Sequence, residues 1–354
     1  MTPAGPAGVG LSGPAAPSAG QDPGQNPRRD PGRTAGTGVQ SGGPVASTPR
    51  ERWLAELGVL VVMVFWAGNF IVVKGAIGIL PPVGFTFLRY GVAAITLLIL
   101  LRWREGELRL PRGDVARIMG LGVIGFGCYQ ILWPVALQTI PAGDSALLIA
   151  TTPVMTALLA MAIGADTPNG VKLIGAFVSF AGVAFVIGAG QGLVLGASLG
   201  GDLLTLVAAA CWAVYTVFGA TILRRHSPLV TTTWAILAGT LFIAPLGIAQ
   251  LATTDLSDFE PPILLAILYS GTLAAGFANV VIFHGVKLLG PTRVNALQFL
   301  VPALAVVMAA IFLSEPIRPI QVVGGAIILA GVALLRRGTW PGRRAARALG
   351  GRVA

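Results

Sequence analysis

The chain has 354 residues, of which 55% are hydrophobic and only 11% are charged, and its mean hydropathy is +0.80. A water-soluble protein of this length could not bury so many apolar side chains, so the composition indicates a protein that crosses a membrane several times. The net charge of +10 does not indicate nucleic-acid binding, because the basic residues lie in short segments between apolar stretches and at the two ends.

Both ends of the chain are predicted to be tails. Residues 1–52 are rich in Gly, Pro, Ala and Ser and contain no apolar stretch, a composition typical of disorder. They also lack the apolar region of a signal peptide, so we expect the first spanning helix to direct insertion. Residues 338–354 form a second, basic tail.

Ten apolar stretches follow the first tail. They lie near residues 57–76, 83–101, 116–137, 145–163, 170–188, 202–222, 229–250, 262–284, 292–313 and 318–335. Each is close to the ~20 residues that a membrane-spanning helix needs, and their continuously apolar character excludes the alternating pattern of a membrane β-barrel. The sequence therefore predicts an all-α integral membrane protein with ten transmembrane helices.

An internal repeat organises these stretches. A shift of 149 positions superimposes residues 140–188 on 289–337, and a shift of 146 extends the match upstream to the first and sixth stretches. Each copy therefore holds five spans, in residues 57–188 and 202–335. Because five is odd, two copies of one fold must have opposite orientations in the membrane, which predicts inverted repeats.

The basic residues favour one topology. With the N terminus in the cytoplasm, ten Arg and Lys residues lie in segments that face the cytoplasm, whereas the outer loops hold only Arg318. The cytoplasmic set is Arg102, Arg104, Arg109, Arg112, Arg117, Lys172, Arg224, Arg225, Lys287 and Arg293. Both termini are therefore predicted to be cytoplasmic.

Three stretches carry a family resemblance. They are FWAGNFIVVKGAIGILPPVGFTFLRYGVAA in the first two spans, GDLLTLVAAACWAVYTVFGATILRR in the sixth, and FLVPALAVVMAAIFLSEPI in the ninth. Together and in this order, they resemble the EamA-type, ten-helix branch of the drug/metabolite transporter superfamily over about residues 57–335. The resemblance implies export or exchange of small metabolites through a central cavity between the two halves. The chain departs from the family pattern at Asp166, where Glu is usual, and at His284, where an aromatic residue is common.

Polar side chains inside spans are candidates for the substrate site, because burying them in lipid is costly. Gln130 in the third span and Asn279 in the eighth are equivalent under the shift of 149, so we predict that both line one cavity. The alternative is that they only form hydrogen bonds between helices. Tyr129 and Trp133 flank Gln130 and would suit a cavity wall.

A second candidate set lies near the middle of the membrane. Trp66 and Asn69 in the first span have Trp212 and Tyr215 as their counterparts in the sixth. A tryptophan at this depth is not explained by the interfacial aromatic belt, which favours cavity lining over the alternative of core packing. We add His284 of the eighth span to the predicted substrate-binding residues.

Two basic residues are embedded in the first hairpin. Lys74 and Arg89 lie at similar depth, each on the order of 10 Å from the turn at residues 80–82. An embedded cation costs about 2.5 to 3.5 kcal/mol, and no acidic residue in these two spans lies at that depth. Either Lys74 reaches the headgroups and Arg89 binds helix-end carbonyls, or one or both hold an anionic group of the substrate.

Prolines and acids mark the fourth and ninth spans. Pro153 and Pro302 are equivalent under the repeat and interrupt the helical hydrogen bonds near mid-membrane, which suits a hinge. Asp166 and Glu315 close these spans and precede the next ones, where we interpret them as carboxylates at helix starts.

No Walker A motif, catalytic triad or metal-ligand spacing occurs in the sequence. The sequence therefore predicts a non-enzymatic secondary transporter of the bacterial cytoplasmic membrane, without cofactor or metal, that exports amino-acid-like or drug-like solutes by alternating access. Its predicted partners are a small-molecule substrate and membrane lipid, and not nucleic acid. A channel or lipid-scrambling protein and an intramembrane enzyme are the alternatives. The substrate, the coupling ion, and the choice between monomer and homodimer stay open.

Overall fold

The computed structural model describes residues 48–106, 112–191, 197–223 and 225–338. Nearly all of the two predicted tails, and the basic residues Arg109 and Arg224, lie outside the described residues. Within them, the helices are α1 (Pro49–Ala76), α2 (Pro82–Arg104), α3 (Val115–Gly122), α4 (Tyr129–Leu137), α5 (Ala142–Ile149), α6 (Thr152–Ala162), α7 (Gly170–Gln191), α8 (Ala197–Leu223), α9 (Pro228–Leu251), α10 (Pro261–Leu268), α11 (Ala278–Leu289), α12 (Pro291–Leu297), α13 (Leu300–Phe312) and α14 (Pro319–Gly338).

Ten helical stretches of the described residues are long and apolar enough to cross a membrane. They are Pro49–Ala76, Pro82–Arg104, Val115–Leu137, Ala142–Ala162, Gly170–Gly188, Leu199–Ile222, Pro228–Leu251, Pro261–Val286, Arg293–Phe312 and Pro319–Arg337. Large apolar side chains such as Ile99, Phe177 and Ile311 are exposed on these helices, as expected of surfaces that face lipid. The predicted all-α membrane fold with ten spans is confirmed.

Four spans depart from regular α-helix, and they do so in equivalent pairs. The third contains a π-helical segment, Val123–Cys128, and the eighth contains another, Tyr269–Phe277. The fourth is interrupted between α5 and α6, and the ninth between α12 and α13. Both pairs correspond under the shift of 149, so the irregularities repeat together with the sequence.

The interruptions of the fourth and ninth spans have a local cause. Pro153 and Pro302 each lie in the first turns of the second half of their span, α6 and α13. A proline is tolerated there, but it donates no hydrogen bond to the preceding turn and disfavours helix at the residue before it. The spans are therefore broken beside these prolines, while their role as hinges stays a prediction.

A seam of four glycines joins α7 and α14, the last spans of the two copies. A Cβ atom at Gly175 would lie 2.8 Å from the carbonyl oxygen of Gly331, and one at Gly182 would lie 2.7 Å from that of Gly324. Only glycine permits backbones to approach so closely. Because the contact partner moves down α14 as the position moves up α7, the two helices run in opposite directions.

Candidate functional site

A central cavity of about 640 Å³ lies between spans of both copies. This volume falls within the range of small-molecule sites in proteins. Ten of the residues that the sequence predicts for the site line it: Trp66, Asn69, Arg89, Tyr129, Gln130, Trp133, Pro153, Trp212, Asn279 and Pro302. The structure thus brings side chains from spans one, two, three, four, six, eight and nine to one space.

The guanidinium of Arg89 is the most deeply buried charge on the cavity. Its side chain is 2% exposed, its Nη2 donates to Oε1 of Gln130 at 2.5 Å, and its Nη1 donates to Oγ of Ser270 at 3.1 Å. The Ser270 hydroxyl in turn donates to Oδ1 of Asn69 at 2.6 Å. A chain of neutral polar groups from three other spans therefore holds this cation in place.

Both amides predicted from the repeat reach the cavity, each two positions after a π-helical segment. A π-helical segment shifts the register of the side chains that follow, and such segments are frequent at functional sites. Gln130 uses its side-chain oxygen for Arg89, whereas Asn279 donates from Nδ2 to the carbonyl of Ala275 in its own helical stretch. The two amides are equivalent in sequence but have different partners.

Aromatic rings form one wall of the cavity. The rings of Tyr129 and Trp133 are parallel, with centroids 6.2 Å apart, and Trp212 lies 5.6 Å from Tyr129. Phe126 packs edge-on against Trp212 at 5.4 Å. Trp66 also lines the cavity, and its Nε1 donates to the carbonyl of Ala274 at 2.9 Å, which fixes the ring.

Three of the predicted substrate-binding residues do not line this cavity. The ammonium of Lys74 donates to the carbonyl oxygens of Leu137 and Ile140, the latter at 2.8 Å, so it satisfies the end of α4 and does not line the cavity. Tyr215 lies behind Phe126, with ring centroids 5.1 Å apart. His284 is exposed on α11 and is likewise not among the lining residues.

Hydrogen bonds join the two copies near the start of α5, beyond the residues that line the cavity; we call this the Glu315 end. The carboxylate of Glu315 accepts hydrogen bonds from the backbone N–H groups of Ala142 at 2.8 Å and Gly143 at 3.2 Å, at the start of α5. Beside them, Nε2 of Gln321 donates to Oδ1 of Asp144 at 2.7 Å, and both side chains are buried. Glu315 therefore stabilises the start of a helix in the other copy, not that of its own next helix as the sequence suggested.

The opposite end, which we call the Asp166 end, has different pairs. The cavity lining reaches Asp166 and Arg336 there. Nζ of Lys172 donates to both carboxylate oxygens of Asp166, at 2.8 and 2.7 Å, and this hydrogen bonding holds the pKa of the Asp166 carboxyl below its usual value. Arg293 pairs with Glu56 in the same region, at 2.8 Å. The two ends lie at opposite ends of the 21-residue span Ala142–Ala162, about 30 Å apart.

Several lining residues were not predicted. Asn295 and Gln298 line the cavity, and their spacing of three residues at the start of the ninth apolar stretch could have indicated one polar helix face. Ser270, which contacts Arg89, gives no such signal, because serine is common in membrane helices. Arg336 lines the cavity at the Asp166 end, but the sequence shows it only as a basic residue at the end of a helix.

The fold and the cavity define a multi-pass membrane protein with an internal site for a small molecule. Two stretches of the chain, residues 53–188 and 199–337, each match the model of the EamA-like transporter family. The chain therefore belongs to the EamA-like transporter family, as its sequence resemblance indicated.

Curated relatives agree with this assignment. An "Uncharacterized transporter" of Archaeoglobus fulgidus is 31% identical over 275 residues, which cover 77% of this chain and 94% of the relative. A "Probable terminal-alkyne amino-acid exporter" of Streptantibioticus cattleyicolor is 31% identical over 299 residues, covering 83% and 97%. A solved crystal structure aligns with a TM-score of 0.59 at 18% identity, over 80% of this chain and 98% of that one, a likeness that shows the fold alone.

Proposed function

We propose that the protein is a secondary transporter of the bacterial cytoplasmic membrane that exports small metabolites by alternating access. One observation carries the proposal. Hydrogen bonds join the two copies at the Glu315 end, where none of the bonded residues lines the cavity, while the lining extends to Asp166 and Arg336 at the other end. This asymmetry supports one state of an alternating carrier, in which the Glu315 end is closed and the Asp166 end is open. The similarity to a relative named as an amino-acid exporter supports export.

The orientation comes from the positive-inside rule. The basic loops favour a cytoplasmic location for the Asp166 end, so we assign the structure to the carrier state that opens to the cytoplasm. The predicted inversion of the repeats gains support from α7 and α14, which are equivalent in the two copies and pack in opposite directions. A solute bound in this state would come from inside the cell.

The repeat also suggests how the Asp166 end closes in the other state. Under the shift of 149, Glu315 corresponds to Asp166, and Asp144 to Arg293. Glu315 binds the start of the fourth span, next to Asp144. Asp166 instead binds Lys172, and Arg293 binds Glu56. In the state open to the outside, we propose that Asp166 and Arg293 exchange these partners and pair across the copies. Their opposite charges make that contact favourable.

Cross-linking tests both ends. Cysteines are placed at 166 and 293, or at 144 and 321, in a background where Cys128 and Cys211 are serine, and each pair is joined by a short bifunctional methanethiosulfonate, which forms reducible disulfides with both thiols. Each link holds the carrier in one state, so we expect flux in proteoliposomes to stop and to return on reduction. A 166–293 pair that never links during turnover would contradict the proposed closure.

Flux measurements separate a carrier from a channel or a scramblase. A carrier shows counterflow, in which unlabelled solute inside the vesicle accelerates entry of labelled solute, because the loaded form reorients. Fast conduction without counterflow would identify a channel, and movement of labelled lipid between leaflets would identify a scramblase. Either result would overturn the proposal.

The two repeat-related amides provide a test of the cavity itself. Gln130→Leu removes the acceptor of a buried guanidinium bond, so we expect a lower thermal stability as well as lost transport, with a cost of about 1 to 3 kcal/mol for the unsatisfied donor. Asn279→Leu breaks only a bond within its own helical stretch, so it should reduce transport with a smaller loss of stability. Normal transport in Asn279→Leu would remove that residue from the substrate site.

A further inference from the structure

Arg89 is a buried cation without an acidic partner. None of the ion pairs formed among the described residues includes it. Its two Nη atoms donate to the neutral side chains of Gln130 and Ser270, while its Nε has no hydrogen-bond partner among the residues that the structure describes. A guanidinium does not lose its proton in proteins. The site therefore carries a positive charge that neutral partners leave uncompensated.

The aromatic rings next to the guanidinium do not replace an anion. Its Cζ lies 4.8 Å from the ring centroid of Tyr90 and 5.6 Å from that of Trp133. Such cation–π contacts stabilise the charge through aromatic faces. They supply no acceptor for the Nε hydrogen, and two parallel N–H bonds from a guanidinium edge are what binds a carboxylate.

The cavity favours a single negative charge attached to an apolar body. Of the basic residues among the described lining, Arg336 lies at the Asp166 end, so Arg89 is the cation at the centre. A dianion such as phosphate would need further positive charge there. The wall formed by Tyr129, Trp133 and Trp212 provides apolar surface next to the cation.

We propose that Arg89 binds the carboxylate of the transported solute, and that the aromatic wall holds the solute's apolar remainder. This inference rests on the proposed function, since the ligand is the molecule carried. The substrate class is then small monocarboxylic acids with an aliphatic or aromatic body. Gln130 and Ser270 act as positioning residues, because they orient the guanidinium and leave its buried Nε without a hydrogen-bond partner among the described residues.

Binding to the purified protein tests this inference directly. The probes are phenylacetate and hexanoate, each compared with its primary amide, and the readout is the shift in melting temperature with ligand concentration. We expect both acids to stabilise the wild type and both amides to have little effect. Arg89→Lys should weaken acid binding about 10- to 100-fold, because it replaces a two-bond contact by a single ammonium. Arg104→Lys, the same change at an exposed arginine, should bind as the wild type does.

A second variant keeps the test decisive if Arg89→Lys fails to fold. Gln130→Glu preserves the side-chain shape and places a carboxylate within hydrogen-bonding distance of the guanidinium, where it should form an ion pair and exclude the acid. We expect this variant to fold and to lose its response to the acids. Unchanged acid affinity in Gln130→Glu, equal stabilisation by acid and amide, or no stabilisation of the wild type by either acid would overturn the anion site.

Flux distinguishes failure of this inference from failure of the proposed function. Carrier-type flux that is equal for an acid and its amide would retain the transporter and overturn the anion site. The opposite result is acid binding that depends on Arg89 in a protein that moves none of the probes across vesicle membranes and shows no counterflow. That result would retain the anion site and overturn the transporter.

Discussion

Replacing Glu315 by Gln tests the contact that closes one end of the cavity. The carboxylate accepts two backbone N–H groups, from Ala142 at 2.8 Å and Gly143 at 3.2 Å. Because these groups belong to the start of α5, the positive end of the helix dipole also favours the negative charge. The Gln amide keeps one accepting oxygen, replaces the other by a donor, and removes the charge.

The expected effect can be worked out from these bonds. A hydrogen bond to a charged group contributes about 1.5 to 3 kcal/mol, and a charge at a helix end contributes about 0.3 to 1 kcal/mol. We therefore expect Glu315→Gln to destabilise the closed end by about 2 kcal/mol. Since each 1.4 kcal/mol is a factor of ten, a small population open at the Glu315 end would rise about 30-fold.

Thiol labelling measures this population. A cysteine at Ala146, which is buried and lines the cavity, reports opening when an impermeant reagent is added from the predicted outer side. We expect faster labelling in Glu315→Gln. Glu260→Gln is the matched control, because Glu260 also precedes a helix but its side chain makes no capping hydrogen bond. Equal labelling rates in the two variants would refute the role assigned to Glu315.

Two further predictions concern stability. Gly331→Ala would place a Cβ atom 2.4 Å from the backbone nitrogen of Ser179, so it should lower the free energy of unfolding by about 1 to 3 kcal/mol. A Cβ atom at Gly219 meets nothing within 4 Å, so Gly219→Ala should be neutral or slightly stabilising. The melting temperatures of the two variants check this. A hydrogen bond from His226 at 2.8 Å holds the pKa of the Asp114 carboxyl in the folded protein below its usual 3.8. The ionised carboxylate therefore stabilises the fold above pH 3.8. This stabilisation is lost as the pH falls through the lowered pKa of the folded state. The difference in melting temperature between wild type and Asp114→Asn should therefore be largest near neutral pH and fade well below pH 3.8, and a difference that persists in acid would contradict the assignment.

The number of spans could be predicted from the sequence, because apolar length reports a membrane helix directly. Part of the cavity lining could also be predicted, since a polar group such as Gln130 in an apolar span must find protein or water. The direction in which an individual side chain points could not be predicted from the sequence. The sequence places Lys74 and Arg89 at similar depth, and only contacts from other spans show that the first binds the end of α4 and the second lines the cavity.

The sequence also could not show which of two close neighbours in one helix lines the cavity. Trp212 and Tyr215 are three residues apart, but a Cβ atom at Gly125 would lie 2.6 Å from Cγ of Tyr215. Tyr215 therefore packs against the backbone of the third span and not into the cavity. That pairing depends on the π-helical segment that contains Gly125, and a single glycine-rich stretch in a span does not reveal whether its hydrogen bonding is α or π.

The glycine seam between α7 and α14 is self-complementary in the manner of an isologous dimer interface, although it lies within one chain. Exchanging the copies turns the contact of Gly175 with Gly331 into the contact of Gly324 with Gly182, which is also present. At its centre, the hydroxyl of Ser179 donates at 3.4 Å to the carbonyl of Ile328, its own counterpart under the repeat. An interface that maps onto itself keeps the same contacts when the two copies exchange conformations. In the alternating-access mechanism proposed above, the seam would therefore stay unchanged while the helices around the cavity move.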